Sequence, residues 1–205
     1  MLLALLAPSL SSARHRGRLT SCAANLRALF AATEQYRSAN AGLLPLCDSP
    51  TVIMGSCTPA RVRAPFEAIA PYLDVPLPPF SEDNTAMRWP PRKTEVSIAA
   101  IERRAPFACP ADNVYSPRLG FGYDFVASAE MLNMLTNAGM RQGQLDVSRR
   151  LDGQDRYGGR VAVWGDLHID AHAPVAPAAL MGRQVICSDG GVVWSGAERR
   201  YSVVP

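Results

Sequence analysis

The chain lacks the short motifs that indicate nucleotide binding or hydrolytic catalysis. It contains no Gly-x-Ser-x-Gly turn, no phosphate-binding P-loop and no dinucleotide-binding glycine pattern. Only three of its 205 residues are histidines, and a formal net charge of +3 is too small to indicate a nucleic-acid partner. These absences argue against an enzyme and against nucleic-acid binding.

The cysteines lack the spacing of a zinc site. No Cys-x-x-Cys occurs, and no cysteine lies close in sequence to a histidine. Five cysteines in one chain nevertheless suit an oxidising compartment better than the cytosol.

A long apolar run is also missing. Residues 2–10 carry no charge, but as a helix they would measure about 14 Å, against the roughly 30 Å of a bilayer core. Basic residues follow at once, at Arg14, Arg16 and Arg18. The run as written is too short to span a membrane.

The first 45 residues are predicted to contain one long helix that ends at Asn40-Ala41-Gly42. After the apolar run, apolar or small residues recur at steps of three and four, which is typical of a one-sided helix. They are Leu19, Ala23, Leu26, Leu29, Phe30, Thr33 and Tyr36. Asn40 and Gly42 suit a helix end because both tolerate the left-handed conformation. A helix that is apolar at one end and amphipathic at the other is typical of an envelope protein.

The rest of the chain predicts an α+β fold, a long N-terminal helix on a small antiparallel sheet. Prolines concentrate between Pro45 and Pro117 and predict a loop-rich middle. Asp189-Gly190 predicts a tight hairpin turn. The predicted helices cover residues 65–73 and 128–138, and the predicted strands cover 95–101, 119–125, 161–164, 184–187 and 192–194. In the second strand Leu119, Phe121, Tyr123 and Phe125 should share one face.

Several motifs resemble type IV prepilin-like proteins, in particular the pseudopilins of type II secretion systems. At the N-terminus these are the proline-containing leucine run 5–10, Ser12-Ala13-Arg14, Cys22-Ala-Ala-Asn-Leu-Arg and the Asn-Ala-Gly-Leu-Leu-Pro stretch 40–45. Later in the chain, Cys109-Pro-Ala-Asp resembles the family's mid-chain Cys-Pro-x-Asp. Residues 183–194 resemble its C-terminal strand, Asp-Gly turn and strand.

The resemblance implies a pilin-like fold and a non-enzymatic structural subunit that assembles through its N-terminal helix. The implied partners are other pilin-like subunits and secretion or pilus machinery. The implied location is the bacterial inner membrane, with the globular domain in the periplasm. The implied assembly face, on which Pro8 would kink or loosen the helix, consists of Leu2, Leu3, Leu5, Leu6, Pro8, Leu10, Leu19, Leu26 and Phe30.

The sequence also departs from that family. The basic leader and the Gly-Phe-Thr-Leu-Ile-Glu start are not present before the leucine run, and Gly191 stands where relatives carry a histidine. We therefore expect a coding start upstream of Met1, with a decayed or soluble derivative as the alternative. A cleaved signal peptide is a further alternative. The implied organisation is a truncated apolar helix start, residues 1–17, followed by one globular domain, residues 18–205.

The cysteines suggest two disulfides. A Cys22–Cys109 bond would attach the helix to the body, and a Cys47–Cys57 bond would close a local loop, while Cys187 is expected to be a buried free thiol. The alternative is that all five cysteines are unpaired, small apolar residues.

The sequence Asp166-Leu-His168-Ile-Asp170-Ala-His172 is the one candidate metal site. In an extended strand its two carboxylates and two imidazoles would lie on the same face, and both groups are metal ligands. This would make the chain an envelope metal-binding module or a metal-dependent hydrolase. One alternative is a solvated strand edge with no cofactor. Another, implied by the resemblance to pilin-like proteins, is a calcium site that uses Asp166, Asp170 and Asp189.

Position alone marks two stretches as recognition surfaces. Residues 74–94 and 141–153 are predicted to be exposed loops, which tend to carry contacts with partners.

Overall fold

The computed structural model describes residues 2–46, 65–78, 104–112, 121–127, 140–154, 160–166 and 182–196. The main elements of this part are a long helix and a four-stranded antiparallel sheet. Helix α1, Leu2–Ala39, runs through Pro8 without interruption. At about 1.5 Å per residue its 38 residues measure roughly 57 Å. The predicted α+β class and long N-terminal helix are confirmed.

Helix α1 ends where the sequence predicts. The Gly42 N–H donates to the Arg37 carbonyl at 2.8 Å, which satisfies a carbonyl of the last turn. Ala41 and Gly42 both have left-handed φ angles, 54° and 78°. Alanine at the first of these positions carries a backbone strain that glycine would avoid.

The sheet is a simple antiparallel meander. Its strands, which lie in the spatial order β1-β2-β3-β4, are β1 Tyr123–Asp124, β2 Ala162–Asp166, β3 Gly182–Cys187 and β4 Val192–Gly196. Tyr123 lies opposite Asp166, the last residue of β2. Helix α1 packs on β2, β3 and β4.

The β3–β4 hairpin turns at the predicted Asp189-Gly190 pair. Gly190 has a φ of 74°, which favours glycine, and its N–H donates to the Cys187 carbonyl at 2.9 Å. The Asp189 carboxylate accepts the Gly191 N–H at 3.0 Å. Both strands of the predicted hairpin are confirmed.

Strand β1 is shorter than the predicted strand 119–125. Phe121, Tyr123 and Phe125 share the main core, as the period-two pattern predicts, and every residue from 121 to 127 is buried. Val126 packs in a second apolar cluster with Ala162 and Val185. Side chains of the two clusters therefore cover both faces of this segment. Leu119 lies outside the described residues.

The stretch 141–153 was predicted to be an exposed loop, and this is wrong. It forms helix α2, Met140–Arg149, followed by a π-helical turn, Arg150–Gln154. Two buried polar residues one turn apart hold α2 against the chain after α1. The Gln144 amide donates to the Leu44 carbonyl, and the Leu44 N–H donates to the Ser148 hydroxyl at 3.0 Å.

The other predicted elements have mixed outcomes. Residues 65–69 are helical and continue into a 3-10 turn, Ala70–Tyr72, close to the helix predicted over 65–73. The predicted strand 95–101, the predicted helix 128–138 and residues 79–94 of the proposed recognition loop lie outside the described residues.

The core is centred on the Trp164 side chain. Its ring centroid lies 4.9 Å from that of Phe66 and 4.9 Å from that of Phe125, and Phe66 stacks on Phe121 at 4.6 Å. The Trp164 indole N–H donates to the Thr33 hydroxyl of α1 at 2.9 Å. This aromatic layer holds the C-terminal half of α1 on the sheet.

Candidate functional site

Helix α1 changes at Cys22 from an exposed stretch, residues 12–21, to a covered C-terminal half. Residues 12–18, 20 and 21 are exposed and Leu19 is half-buried. From Cys22 onward one face is buried, formed by Cys22, Leu26, Leu29, Ala32, Thr33 and Arg37. The helix thus leaves the body at Cys22, and about 30 Å of it precede that residue. We call residues 12–21 the projecting segment.

A disulfide joins the helix to the body at this point. Cys22 and Cys109 are bonded, with their Cα atoms 5.3 Å apart and a sequence separation of 87 residues. This is the pairing that the sequence suggested. Closing so long a loop contributes about 4 kcal/mol to stability in the chain-entropy picture.

Polar side chains surround the disulfide. The Asn25 amide donates to the Ala108 carbonyl at 3.0 Å and to the Tyr123 hydroxyl at 3.1 Å. Burial raises the pKa of Tyr123, and the nearby Asp166 carboxylate raises it further. Tyr123 therefore stays a neutral phenol at physiological pH. We call Cys22, Asn25, Cys109, Tyr123 and Asp166 the exit cluster.

Asp166 belongs to this cluster and not to a solvated strand edge. It is fully buried at the end of β2, where its carboxylate accepts the Gln184 N–H at 2.7 Å. Its carboxylate oxygen and the sulfurs of Cys22 and Cys109 all lie within 4.8 Å of one another. For Asp166, the expected solvated edge is therefore wrong, because β1 and β3 cover the end of β2 on both sides.

The remaining members of the predicted metal sites are not brought to Asp166. His168, Asp170 and His172 lie outside the described residues. Asp189, offered as a calcium ligand, is exposed in the β3–β4 turn and forms an ion pair with Arg160 at 3.1 Å.

The predicted assembly face is only partly available to a partner. Leu26 is fully buried and Phe30 packs against the core, so both face the protein's own body, and their assignment to an intermolecular face is corrected. Leu10 is 53% exposed, and Leu19 is half-buried. The side chains of the other members lie outside the description: Leu2, Leu3, Leu5, Leu6 and Pro8.

The third described cysteine is a free thiol. Cys187 is buried in β3, as the sequence predicts, and burial raises its pKa. Cys47 and Cys57 lie outside the described residues, so their predicted bond stays a prediction.

Sequence reasoning missed two features of this region. Arg37 is a buried cation on α1 that pairs with Glu34 and with Asp152 of the π turn. The exit cluster was missed because its members are far apart in sequence. The predicted Cys22–Cys109 pairing did identify two of its residues.

Within the described ranges, no helix is both long enough and apolar enough to cross a bilayer. No protein-family model, no curated protein and no solved structure matches the chain. Its function is therefore inferred from its own residues and geometry.

Proposed function

We propose that the chain is a pilin-like structural subunit of a type II secretion or type IV pilus-like assembly in the bacterial envelope. In this proposal it is not an enzyme, and it assembles with other pilin-like subunits through the N-terminal half of α1. The observation that carries the proposal is the change of α1 at Cys22 from the exposed projecting segment to a covered C-terminal half.

The shape of α1 supports assembly because a helix needs neighbours to hold residues that its own body does not cover. Short isolated helices are only marginally stable in water, and helices in proteins gain most of their stability from packing. The projecting segment is exposed and has no such cover from its own body. Leu10, just before it, is an exposed large apolar residue. Adjacent copies of the chain, or a membrane, would cover this stretch.

The attachment of the helix supports a mechanical role. A helix that links subunits must pass force to the body without peeling away from it. The Cys22–Cys109 disulfide lies at the first covered turn after the projecting segment, which is where separation of the helix from the body would begin. A disulfide also agrees with the periplasmic location in the proposal, because such bonds persist in oxidising compartments.

The test is a charge substitution on the leucine positions before the projecting segment. The double variant Leu6→Asp/Leu10→Asp, expressed in its native gene context, should leave the membrane and filament fractions, because a carboxylate cannot be buried there without a large cost. The matched control is Gln35→Asp/Ser38→Asp, which adds the same charge at two exposed positions of the covered half of α1.

Circular dichroism of both purified variants checks that the body remains folded. The proposal predicts that the leucine variant becomes soluble and no longer crosslinks to other copies, while the Gln35→Asp/Ser38→Asp variant fractionates like the parent protein. Unchanged fractionation of a folded leucine variant would overturn it.

A further inference from the structure

Three metal-ligating side chains converge where α1 leaves the body. The sulfurs of Cys22 and Cys109 and a carboxylate oxygen of Asp166 lie within 4.8 Å of one another, and all three residues are buried. They come from the helix, the Cys-Pro turn and the end of β2, so the whole fold is needed to assemble them.

The two sulfurs are bonded to each other in the disulfide, so they must move apart after reduction to hold a tetrahedral cation. With metal–sulfur bonds of about 2.3 Å, the two sulfurs of a tetrahedral zinc site lie roughly 3.8 Å apart. The Asp166 carboxylate oxygen already lies within 4.8 Å of both sulfurs, so the third ligand is in place. Two thiolates favour a thiophilic cation, and a carboxylate oxygen at about 2.0 Å is a common third zinc ligand.

We propose that the reduced form of the chain binds one Zn²⁺, or a similar thiophilic divalent cation, through Cys22, Cys109 and Asp166. In the disulfide form the sulfurs are bonded to each other and carry no thiolate charge, so the site exists only after reduction. Three protein ligands leave the fourth tetrahedral position for a water molecule.

The reduction step balances with a phosphine as the reductant. The sulfur–sulfur bond breaks, the phosphine supplies two electrons and becomes its oxide with oxygen from water, and two thiols form. Cation binding then releases the two thiol protons to solvent.

The surroundings orient the ligands. The Gln184 N–H holds the Asp166 carboxylate at 2.7 Å, and Asn25 fixes the turn before Cys109 through the Ala108 carbonyl. Outer hydrogen bonds of this kind strengthen metal sites by holding ligands in place. The consequence is that the helix has two alternative attachments to the body, a disulfide when oxidised and a bound cation when reduced.

The experiment uses the full chain with its other cysteines removed, as Cys47→Ser/Cys57→Ser/Cys187→Ala. Phosphine-reduced and oxidised samples are titrated with Co²⁺, which gives thiolate charge-transfer absorption and the visible bands of tetrahedral coordination. Zn²⁺ is then added as a competitor. The reduced protein should bind one equivalent, and the oxidised protein none.

The ligand variant is Asp166→Asn, which should weaken Co²⁺ binding at least tenfold. Its control is Asp124→Asn, another buried aspartate one strand away, which should bind like the parent protein. X-ray absorption of the reduced, zinc-loaded parent protein counts the ligands directly and does not depend on the folding of either variant. Two sulfurs and two oxygen or nitrogen neighbours are expected.

Three results would overturn the proposal. They are no Co²⁺ binding by the reduced protein, equal binding by the oxidised protein, or a zinc neighbour count without two sulfurs. If folded Asp166→Asn bound Co²⁺ as tightly as the parent protein, the Asp166 carboxylate would not be a ligand and the three-ligand site would be refuted. The test is independent of filament assembly, so its failure leaves the proposed structural role standing.

Discussion

The indole N–H of Trp164 donates to the hydroxyl of Thr33 across 131 residues of sequence. The same hydroxyl donates to the Leu29 carbonyl at 2.8 Å, so one buried oxygen joins the helix backbone to the centre of the sheet. Thr33 is fully buried and so is Trp164. This bond is a buried polar contact that helps to position α1 on the aromatic core, together with the bonds of Asn25 to Ala108 and Tyr123.

Replacing Thr33 with valine should destabilise the protein by about 1–3 kcal/mol, because the buried indole N–H would lose its acceptor while the side-chain volume stays nearly constant. Urea unfolding measures the change. Thr20→Val is the matched control, since Thr20 makes the same kind of bond to the Arg16 carbonyl on an exposed turn. The control should change stability by less than about 0.5 kcal/mol. Equal effects of the two variants would contradict the role given to Thr33.

The buried Arg37 should be among the most sensitive charged positions of α1. Burial by itself lowers its pKa, but hydrogen bonds to Glu34 and Asp152 outweigh this effect and raise the pKa. The guanidinium also donates to the Gly42 carbonyl at 3.0 Å. Arg37→Met should lower the free energy of unfolding in urea by about 1–3 kcal/mol. The expected loss is kept small because Glu34 and Asp152 are half-exposed, so that solvent screens both ion pairs. The exposed Arg27→Met should cost less than about 0.5 kcal/mol, and a loss as large as that of Arg37→Met would refute this prediction.

Ala41→Gly should stabilise the protein by about 0.5–1 kcal/mol. The φ of 54° at Ala41 costs an L-residue roughly 1–2 kcal/mol, and glycine avoids this strain. The greater conformational freedom of glycine in the unfolded chain offsets part of that gain. Gly42→Ala should do the opposite, because Gly42 also has a positive φ, of 78°. Thermal unfolding of the two variants should therefore show shifts of opposite sign, and shifts of the same sign would contradict the assignment.

Stability should fall as the pH rises above about 9. Burial, assisted by nearby carboxylates, raises the pKa values of Cys187 and Tyr123 from their ordinary values of 9.0 and 10.0. Above those values the unfolded chain loses protons that the folded chain keeps, so the free energy of unfolding decreases with pH. Urea unfolding at pH 8 to 11 measures the slope. Cys187→Ala should flatten its lower part and Tyr123→Phe its upper part, while an unchanged slope in both would disprove the cause.

Local chemistry explains which elements could be predicted from the sequence. The Asp189-Gly190 turn and the end of α1 depend on residues within a few positions of one another, so both were predicted. The strand of Val163 and Trp164 was found because four apolar residues follow one another. Helix α2 was missed because two residues of its buried face, Gln144 and Ser148, are polar and bond to the backbone of Leu44, while Val147 is the fully buried apolar side chain beside them.

The candidate site was harder to predict for a related reason. Asp166 follows a strand and precedes two histidines, and the alternation placed it on a solvated face. Its burial depends on β1, β3 and the Cys109 turn, which are distant in sequence. The assembly face failed at Leu26 and Phe30 because one apolar stripe on a helix does not tell whether its partner is the same chain or another.

The position of the Cys22–Cys109 bond has a mechanical consequence. Tension on the projecting segment reaches the fold first at a covalent link, before any apolar contact of α1 carries load. The contacts of α1 beyond that link, from Leu26 to Arg37, would then not break one helical turn at a time. They would break together, when the whole fold opens. In the oxidised protein a pulling experiment should therefore show one high rupture force, and in the reduced protein a series of smaller ones.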